Sequence, residues 1–187
     1  CLYGSKRHML LNIFNNYEMP FYKFGDVLFL QKIKEKDWTE FISKRFSDTK
    51  KSISDNLCAN IVELTKGHPY YTQQLSQQVW LRTAKNCSQQ IIEEAFQGLV
   101  GQLSLLFTNI LDSLTPKQIS FLIAVANQES NFSSKAVLTK YQLGTSANIK
   151  NLKKATLEKD LIDILPEEKI EMQDPIFEYW LKNIYSK

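Results

Sequence analysis

The residues best suited to binding a ligand lie at positions 67–69, where Gly67, His68 and Pro69 separate two helical patterns. Glycine favours the left-handed cap that ends a helix. Proline suits the first turn of the next helix, because its missing N–H would be unpaired there anyway. A helix N-terminus also attracts phosphate. The spacing therefore predicts a rigid helix corner, with two alternatives open. Either these residues only end one helix and start the next, or the corner also faces a nucleotide.

Catalysis by this chain alone is not indicated by its residue types. Its two histidines, His8 and His68, lie far apart and have no metal-ligand spacing with cysteines or carboxylates. The sequence contains neither the phosphate-binding Gly-x-x-x-x-Gly-Lys loop nor the Gly-x-Ser-x-Gly elbow of hydrolases. We therefore expect no catalytic residues, no metal site and no efficient hydrolysis by this chain on its own.

Composition sets wide limits on the class of protein. A chain of 187 residues holds one large domain or two small ones. Its formal net charge of +3 does not by itself argue for nucleic acid. No apolar run approaches the roughly 20 residues of a membrane span. The scattered cysteines Cys1, Cys58 and Cys87 do not suggest a disulfide framework. These features predict a cytoplasmic protein with free thiols and no membrane partner.

Residues 1–34 read as the end of a domain that begins upstream. The chain starts at Cys1 without methionine, and its first residues resemble the tail of a buried strand that ends at Gly4. A helix over 5–16 and a short extended run over 27–33 follow. Because a lone strand is unstable, we expect its neighbours to lie in a missing N-terminal part.

Residues 35–113 are predicted to form a bundle of four or five helices. Apolar residues recur every three or four positions throughout this stretch, which is typical of amphipathic helices. Its last helix is predicted to be a separate one over 102–113. The other start and stop signals are the capping-box pair Asp37 and Glu40, Ser52 or Ser54, Gly67, Pro69 and Ser88.

Residues 114–187 are predicted to form a winged-helix domain, so the fold class is mainly α with a small β-hairpin. Three helices, a hairpin and a closing helix follow one another in that order. The first three predicted helices begin at Thr115, at Ser133 or Ser134, and at Thr145. The two strands of the hairpin cover 161–165 and 169–172. The last helix begins at Asp174, and its apolar face carries Phe177, Trp180, Leu181, Ile184 and Tyr185.

The third helix of this domain has an outward face that could contact DNA. Lysines could contact phosphate and asparagines could read adenine. Residues 114–187 contain no arginine, the side chain that most often reads guanine. A DNA contact and an ordinary solvated helix face both remain open. The outward residues in question are Asn148, Lys150, Asn151, Lys153 and Lys154.

The order of these motifs resembles a known class of nucleotide-dependent proteins. A strand ends in Gly4 and Ser5, a Gly-His-Pro motif opens a helix at 67–69, and a Met-Gln-Asp run at 172–174 lies in the winged helix. This arrangement is similar to the C-terminal half of P-loop ATPases of the AAA+/STAND class, specifically the archaeal-type ATPases. The resemblance covers essentially the whole chain.

The resemblance implies a role for each matching residue. Residues 35–113 would be the lid over the nucleotide, with Gly67, His68 and Pro69 at the adenine. Ser5 would match the polar residue after the sensor-1 strand, near the γ-phosphate. Gln173 stands where STAND proteins have a histidine that contacts the β-phosphate, and unlike histidine it cannot become cationic. ATP and Mg²⁺ would bind only together with the missing core, and none is expected in this chain alone.

Three functions therefore remain open. The first is the lid and winged-helix part of an ATP-binding switch protein, whose nucleotide moves both relative to the core. The second is a winged-helix DNA-binding regulator with a helical dimerisation part. The third is a protein-interaction module that uses the helical bundle. Two residues have alternative interpretations: Asp174 as a phosphate-site neighbour or a helix N-cap, and Arg82 as a sensor-2-like cation or a solvated side chain.

Overall fold

The computed structural model describes residues 13–14, 16–26, 28, 32–165 and 169–186. The chain divides into two compact units, Cys1–Lys32 and Ile33–Lys187. In the first unit, residues 17–25 form turns and bends, and the Phe14 ring lies 6.4 Å from the ring of Phe21. Ser5, the predicted first strand and most of the predicted helix over 5–16 lie outside the described residues.

The second unit begins with four α-helices: α1 (Glu35–Ser47), α2 (Asp55–Leu64), α3 (Pro69–Arg82) and α4 (Gln89–Asp112). The Ser88 hydroxyl accepts a hydrogen bond from the Ile91 N–H and caps α4, as predicted. Ser54, and not Ser52, is the N-cap residue of α2. The core of this bundle consists of fully or almost fully buried side chains, among them Ile42, Phe46, Cys58, Ile61, Leu75, Val79, Ile92 and Leu99.

Two sequence-based predictions about these helices are wrong. Helix α1 begins at Glu35, so Asp37 lies within its first turn and the N-cap Lys34 makes no side-chain capping bond. The separate helices predicted on either side of Gly101 are one helix of 24 residues. Each glycine inside a helix costs about 1 kcal/mol relative to alanine. The buried side chains of α4 outweigh this cost, because each contributes about 1.5–3 kcal/mol.

Replacing Gly101 with alanine is expected to raise the free energy of unfolding by about 0.5–1 kcal/mol. Gly101 is exposed in the interior of α4, and a Cβ built there meets nothing within 4 Å. Chemical denaturation of Gly101→Ala measures the gain. The matched control is Gly144→Ala, which should lose stability because Gly144 has a φ of +87°. A loss of stability in Gly101→Ala would contradict the prediction.

The second half of the unit is a winged helix, so the structure is mainly α with a small antiparallel hairpin, as predicted. A complete capping box at Thr115 and Gln118 starts its first helix. In the hairpin, Ile162 pairs with Met172 and Ile164 with Ile170. The elements are α5 (Pro116–Ala126), α6 (Lys135–Lys140), α7 (Ser146–Glu158), β1 (Ile162–Ile164), β2 (Ile170–Met172) and α8 (Pro175–Trp180), which continues as a π-helical turn (Leu181–Tyr185).

The π-helical turn changes the predicted apolar face at the end of the chain. Phe177, Trp180 and Leu181 are buried as expected, but Ile184 and Tyr185 are each 47% exposed. A π-helix joins residues five positions apart, so the helical spacing of 3.6 residues no longer holds. None of the described helices combines the length and the apolar content needed to cross a membrane.

Candidate functional site

The predicted helix corner at residues 67–69 is present, and its cap involves one more residue than expected. The N–H of Gly67 donates to the Val62 carbonyl at 2.8 Å, and the N–H of Lys66 donates to the Glu63 carbonyl at 3.0 Å. These two bonds form a Schellman motif. Lys66 and Gly67 both have positive φ, 50° and 64°. The left-handed C′ position therefore belongs to Lys66, and Gly67 follows it.

The other side of the corner is the N-terminus of α3. His68 is the N-cap residue and makes no side-chain capping bond, and Pro69 is the first helical residue. The helix end and helix start predicted from the sequence are therefore confirmed. Pro69 is exposed, as is the 62% accessible side chain of Tyr70. The corner thus presents a small apolar surface to whatever lies beyond it.

Two ring nitrogens at this corner are buried and lack a hydrogen-bond partner among the described residues: Trp38 Nε1 and His68 Nδ1. A Cβ built on Gly67 would lie 3.9 Å from Trp38 Nε1, which places the indole directly against the corner. The His68 ring lies 5.0 Å from the ring of Tyr71. Buried polar atoms are rarely left unpaired, so these two nitrogens leave unused hydrogen-bonding capacity at the corner.

The residues that flank the corner are bonded to α8. Lys66 Nζ donates to both carboxylate oxygens of Glu178, at 2.6 and 2.7 Å. The Tyr71 hydroxyl donates to Asp174 Oδ2 at 2.5 Å. Asp174 Oδ1 accepts from the N–H of Phe177 at 2.9 Å, so Asp174 is also the predicted N-cap of α8. The corner is therefore held to the winged helix on both sides.

The environment of Tyr71 strongly favours its protonated form. Burial raises the pKa of the Tyr71 hydroxyl above its ordinary value, and the hydrogen bond to Asp174 raises it further. The folded state therefore keeps this proton at a pH where the unfolded chain has released it. The stability linked to Tyr71 is fully present below its unfolded pKa and is lost as the pH rises beyond it.

The free energy of unfolding is therefore expected to fall as the pH rises above about 10. Tyr71 alone should contribute up to about 1.4 kcal/mol per pH unit to this fall. Tyr71→Phe should remove this part of the slope. Urea denaturation between about pH 8 and 11 measures the effect. The control is Tyr70→Phe, which leaves Tyr71 in place and should keep the wild-type slope. Equal slopes for wild type and Tyr71→Phe would refute the prediction.

The side chains of Gln173 and Arg82 both form hydrogen bonds within the chain. The Gln173 side-chain N–H donates to the Ile162 carbonyl at 3.2 Å, so its carboxamide ties the start of α8 to the hairpin. Arg82 Nη1 donates to the backbone and side-chain oxygens of Gln78, at 3.0 and 2.6 Å. The structure therefore brings Gly67, His68 and Pro69 together, with Gln173 next to the Asp174 that contacts Tyr71.

The five predicted DNA-contacting residues on α7 divide into two groups. Lys150, Asn151 and Lys154 are exposed, and Lys154 lies 3.8 Å from Glu158 of the same helix. Asn148 is half-buried, and so is Lys153, whose ammonium lies 5.9 Å from the centre of the Phe132 ring. Three of the five predicted side chains are thus exposed to a partner.

The bonds between the corner and α8 could not be predicted from the sequence. Lys66 and Glu178 are 112 positions apart, and Tyr71 and Asp174 are 103 apart. No local pattern links positions so distant. One signal was nevertheless present in the sequence, because Glu178 interrupts an otherwise apolar helix next to Phe177. In the structure the whole residue is only 9% exposed. A carboxylate in such a place needs a partner.

Comparison with known proteins supports the fold. Residues 105–183 match the model of a family described as "Probable winged helix domain". The solved structure of the Walker-type ATPase PABY2304 of Pyrococcus abyssi is similar over 95% of this chain and 51% of that chain, with a TM-score of 0.66 and 18% identity. This chain thus spans about half the length of that ATPase, and the likeness shows a shared fold. No curated protein matches the chain.

Proposed function

We propose that this chain forms the nucleotide lid and the winged helix of an ATP-binding protein of the AAA+/STAND class. The observation that carries the proposal is the corner at residues 67–69, with an exposed Pro69 and two buried, unpaired ring nitrogens beside it. The match of the fold to about half of a Walker-type ATPase supports it. Such a protein would act in the cytoplasm, where the free thiols of Cys58 and Cys87 would persist.

The proposed site is a half-site completed by an upstream core. That core would supply the phosphate-binding loop, Mg²⁺ and the γ-phosphate contact near Ser5. Pro69 would pack against the adenine, and the His68 ring would lie beside it. Because the carboxamide of Gln173 already donates to the Ile162 carbonyl, its role would be to support the start of α8 more than to hold phosphate.

The bonds to α8 suggest how nucleotide binding would be transmitted. Lys66 and Tyr71 stand on the two sides of the corner, and each contacts a carboxylate of the winged helix. A movement of the corner toward a bound nucleotide would therefore displace α8 with it. We propose that lid and winged helix move together relative to the core, and that this movement is the output of the switch.

The first test reads the residues that precede Cys1 in the natural protein. A Gly-Lys-Ser/Thr loop and an acidic Walker-B strand there are expected, and their absence would rule the proposal out. The second measures binding of a fluorescent ATP analogue to the protein that contains both parts. Pro69→Ala should weaken this binding about fivefold, through the loss of roughly 1 kcal/mol of apolar contact.

A matched control separates a ligand contact of Pro69 from its role in starting the helix. Pro116 is the first residue of α5, just as Pro69 is of α3. Pro116→Ala should therefore cost as much stability as Pro69→Ala but leave ATP affinity unchanged. If both variants weaken ATP binding equally, or if neither does, Pro69 only starts α3 and does not contact ATP.

A second candidate function is DNA binding by the winged helix, which the exposed face of Lys150, Asn151 and Lys154 favours. Gel-shift titration at several salt concentrations tests it. Specific binding that weakens as salt rises, and that the double variant Lys150→Ala/Asn151→Ala reduces at least tenfold, would support this function. Binding that the variant leaves unchanged would exclude this face as the contact.

A further inference from the structure

A groove of about 700 Å³ lies between α1 and α3. Its floor includes the buried side chains of Ile42 and Phe46. Its walls include the aromatic rings of Phe41, Tyr70 and Trp80, of which Phe41 is 42% and Tyr70 62% exposed. Exposed aromatic rings around a concave apolar floor are typical of binding surfaces. The corner residues 67–69 do not line this groove.

Three glutamines, Gln73, Gln74 and Gln77, line the α3 side of the groove. A carboxamide both donates and accepts hydrogen bonds, which matches the N–H and C=O groups of a peptide backbone. The side-chain oxygen of Gln74 is buried and has no hydrogen-bond partner among the described residues. Because buried oxygens are rarely left unpaired, a molecule in the groove that donated an N–H to this oxygen would satisfy it.

The groove has a positive charge at its rim. Arg45 is the single charged residue among those that line it in the described part of the chain. The guanidinium lies 5.2 Å from the centre of the Phe41 ring, which holds it in place. The carboxylate of Asp48 is 3.8 Å away and half-exposed, so its attraction to Arg45 is weak. Arg45 therefore remains available to a carboxylate on a partner.

We propose that this groove binds a short extended peptide segment of another protein, with an apolar side chain on the aromatic floor and a carboxylate at Arg45. The wall from Tyr70 to Trp80 is about 15 Å long, at about 1.5 Å per helical residue. An extended chain rises about 3.3 Å per residue, so four or five residues fit this length. This site goes beyond nucleotide binding and does not require it.

Selection from a random peptide library on the purified chain tests the proposal. The peptides enriched on the wild-type chain should combine an aromatic or aliphatic residue with an aspartate or glutamate. Fluorescence anisotropy then measures the affinity of the best peptide for each variant. Arg45→Gln and Gln74→Leu should each weaken binding about tenfold. Arg82→Gln, an exposed arginine of α3 outside the groove, should leave binding unchanged.

The stability of Gln74→Leu provides a second readout. Because this change removes a buried oxygen without a partner, the variant should be at least as stable as wild type while it binds peptide more weakly. The proposal is overturned if no peptides are enriched, if the enriched peptides lack a carboxylate, or if Arg45→Gln and Gln74→Leu bind as tightly as wild type. None of these outcomes bears on ATP binding.

Discussion

Phe107→Ala is expected to lower the free energy of unfolding by about 3–5 kcal/mol. Phe107 is fully buried on α4, with its ring centre 5.0 Å from that of Phe177 and 5.7 Å from that of Trp180. Alanine would leave a cavity where α4 meets α8, and it would remove two aromatic contacts worth about 0.5–1.5 kcal/mol each. Denaturation by urea measures the loss.

The control for this change is Leu105→Ala on the same helix. Leu105 is 73% exposed, so its truncation should alter stability by no more than about 0.5 kcal/mol. The comparison asks whether the end of α4 holds the last helix in place. If Phe107→Ala cost as little as Leu105→Ala, the packing of α4 against α8 would not stabilise the protein, and joint movement of lid and winged helix would lose its physical basis.

Lys66→Met should lower the free energy of unfolding by about 2 kcal/mol. It removes the ammonium that contacts both oxygens of Glu178, whose side chain is only 12% exposed. The carboxylate would then remain buried without its cation, which costs about 3–5 kcal/mol in fully buried pairs. The lower value allows for solvent, because the Lys66 side chain is 51% exposed.

The reverse change should cost less. Glu178→Gln leaves the half-exposed ammonium of Lys66 free to be hydrated, so we expect a loss of about 1 kcal/mol. In the double variant Lys66→Met/Glu178→Gln, the loss should be smaller than the sum of the two single losses. Lys36→Met is the control, because its pair with Glu40 is exposed and spans 3.8 Å. A loss no larger than that of the control would show that the Lys66 bond does not hold the corner.

Local signals in the sequence were sufficient for most of the helix boundaries. Thr115 and Gln118 specify a capping box, Ser88 and Asp174 cap the helices that follow them, and Pro69 starts α3. Each of these signals acts over three or four residues, which is the range of the bonds that start a helix. The same local logic predicted the hairpin and, through the order of the elements, the winged helix.

Where a local signal competed with burial, the tertiary structure decided. The sequence predicted a separate helix over 102–113, but α4 runs unbroken from Gln89 to Asp112, because its packing outweighs the cost of the glycines at 98 and 101. The Asp37 capping box did not form, because α1 had already begun at Glu35. Neither result is visible in a window of ten residues.

The sequence by itself determined the helix corner at residues 67–69, because glycine readily adopts the positive φ that follows a helix end, and proline fixes φ and lacks the N–H that the first helical turn leaves unpaired. What this corner touches was decided only by the tertiary structure. The bonds of Lys66 to Glu178 and of Tyr71 to Asp174 join positions more than 100 residues apart, and they form where the corner between α2 and α3 lies against α8. A turn follows from its own residues, whereas a contact between distant helices follows from the burial of the whole core.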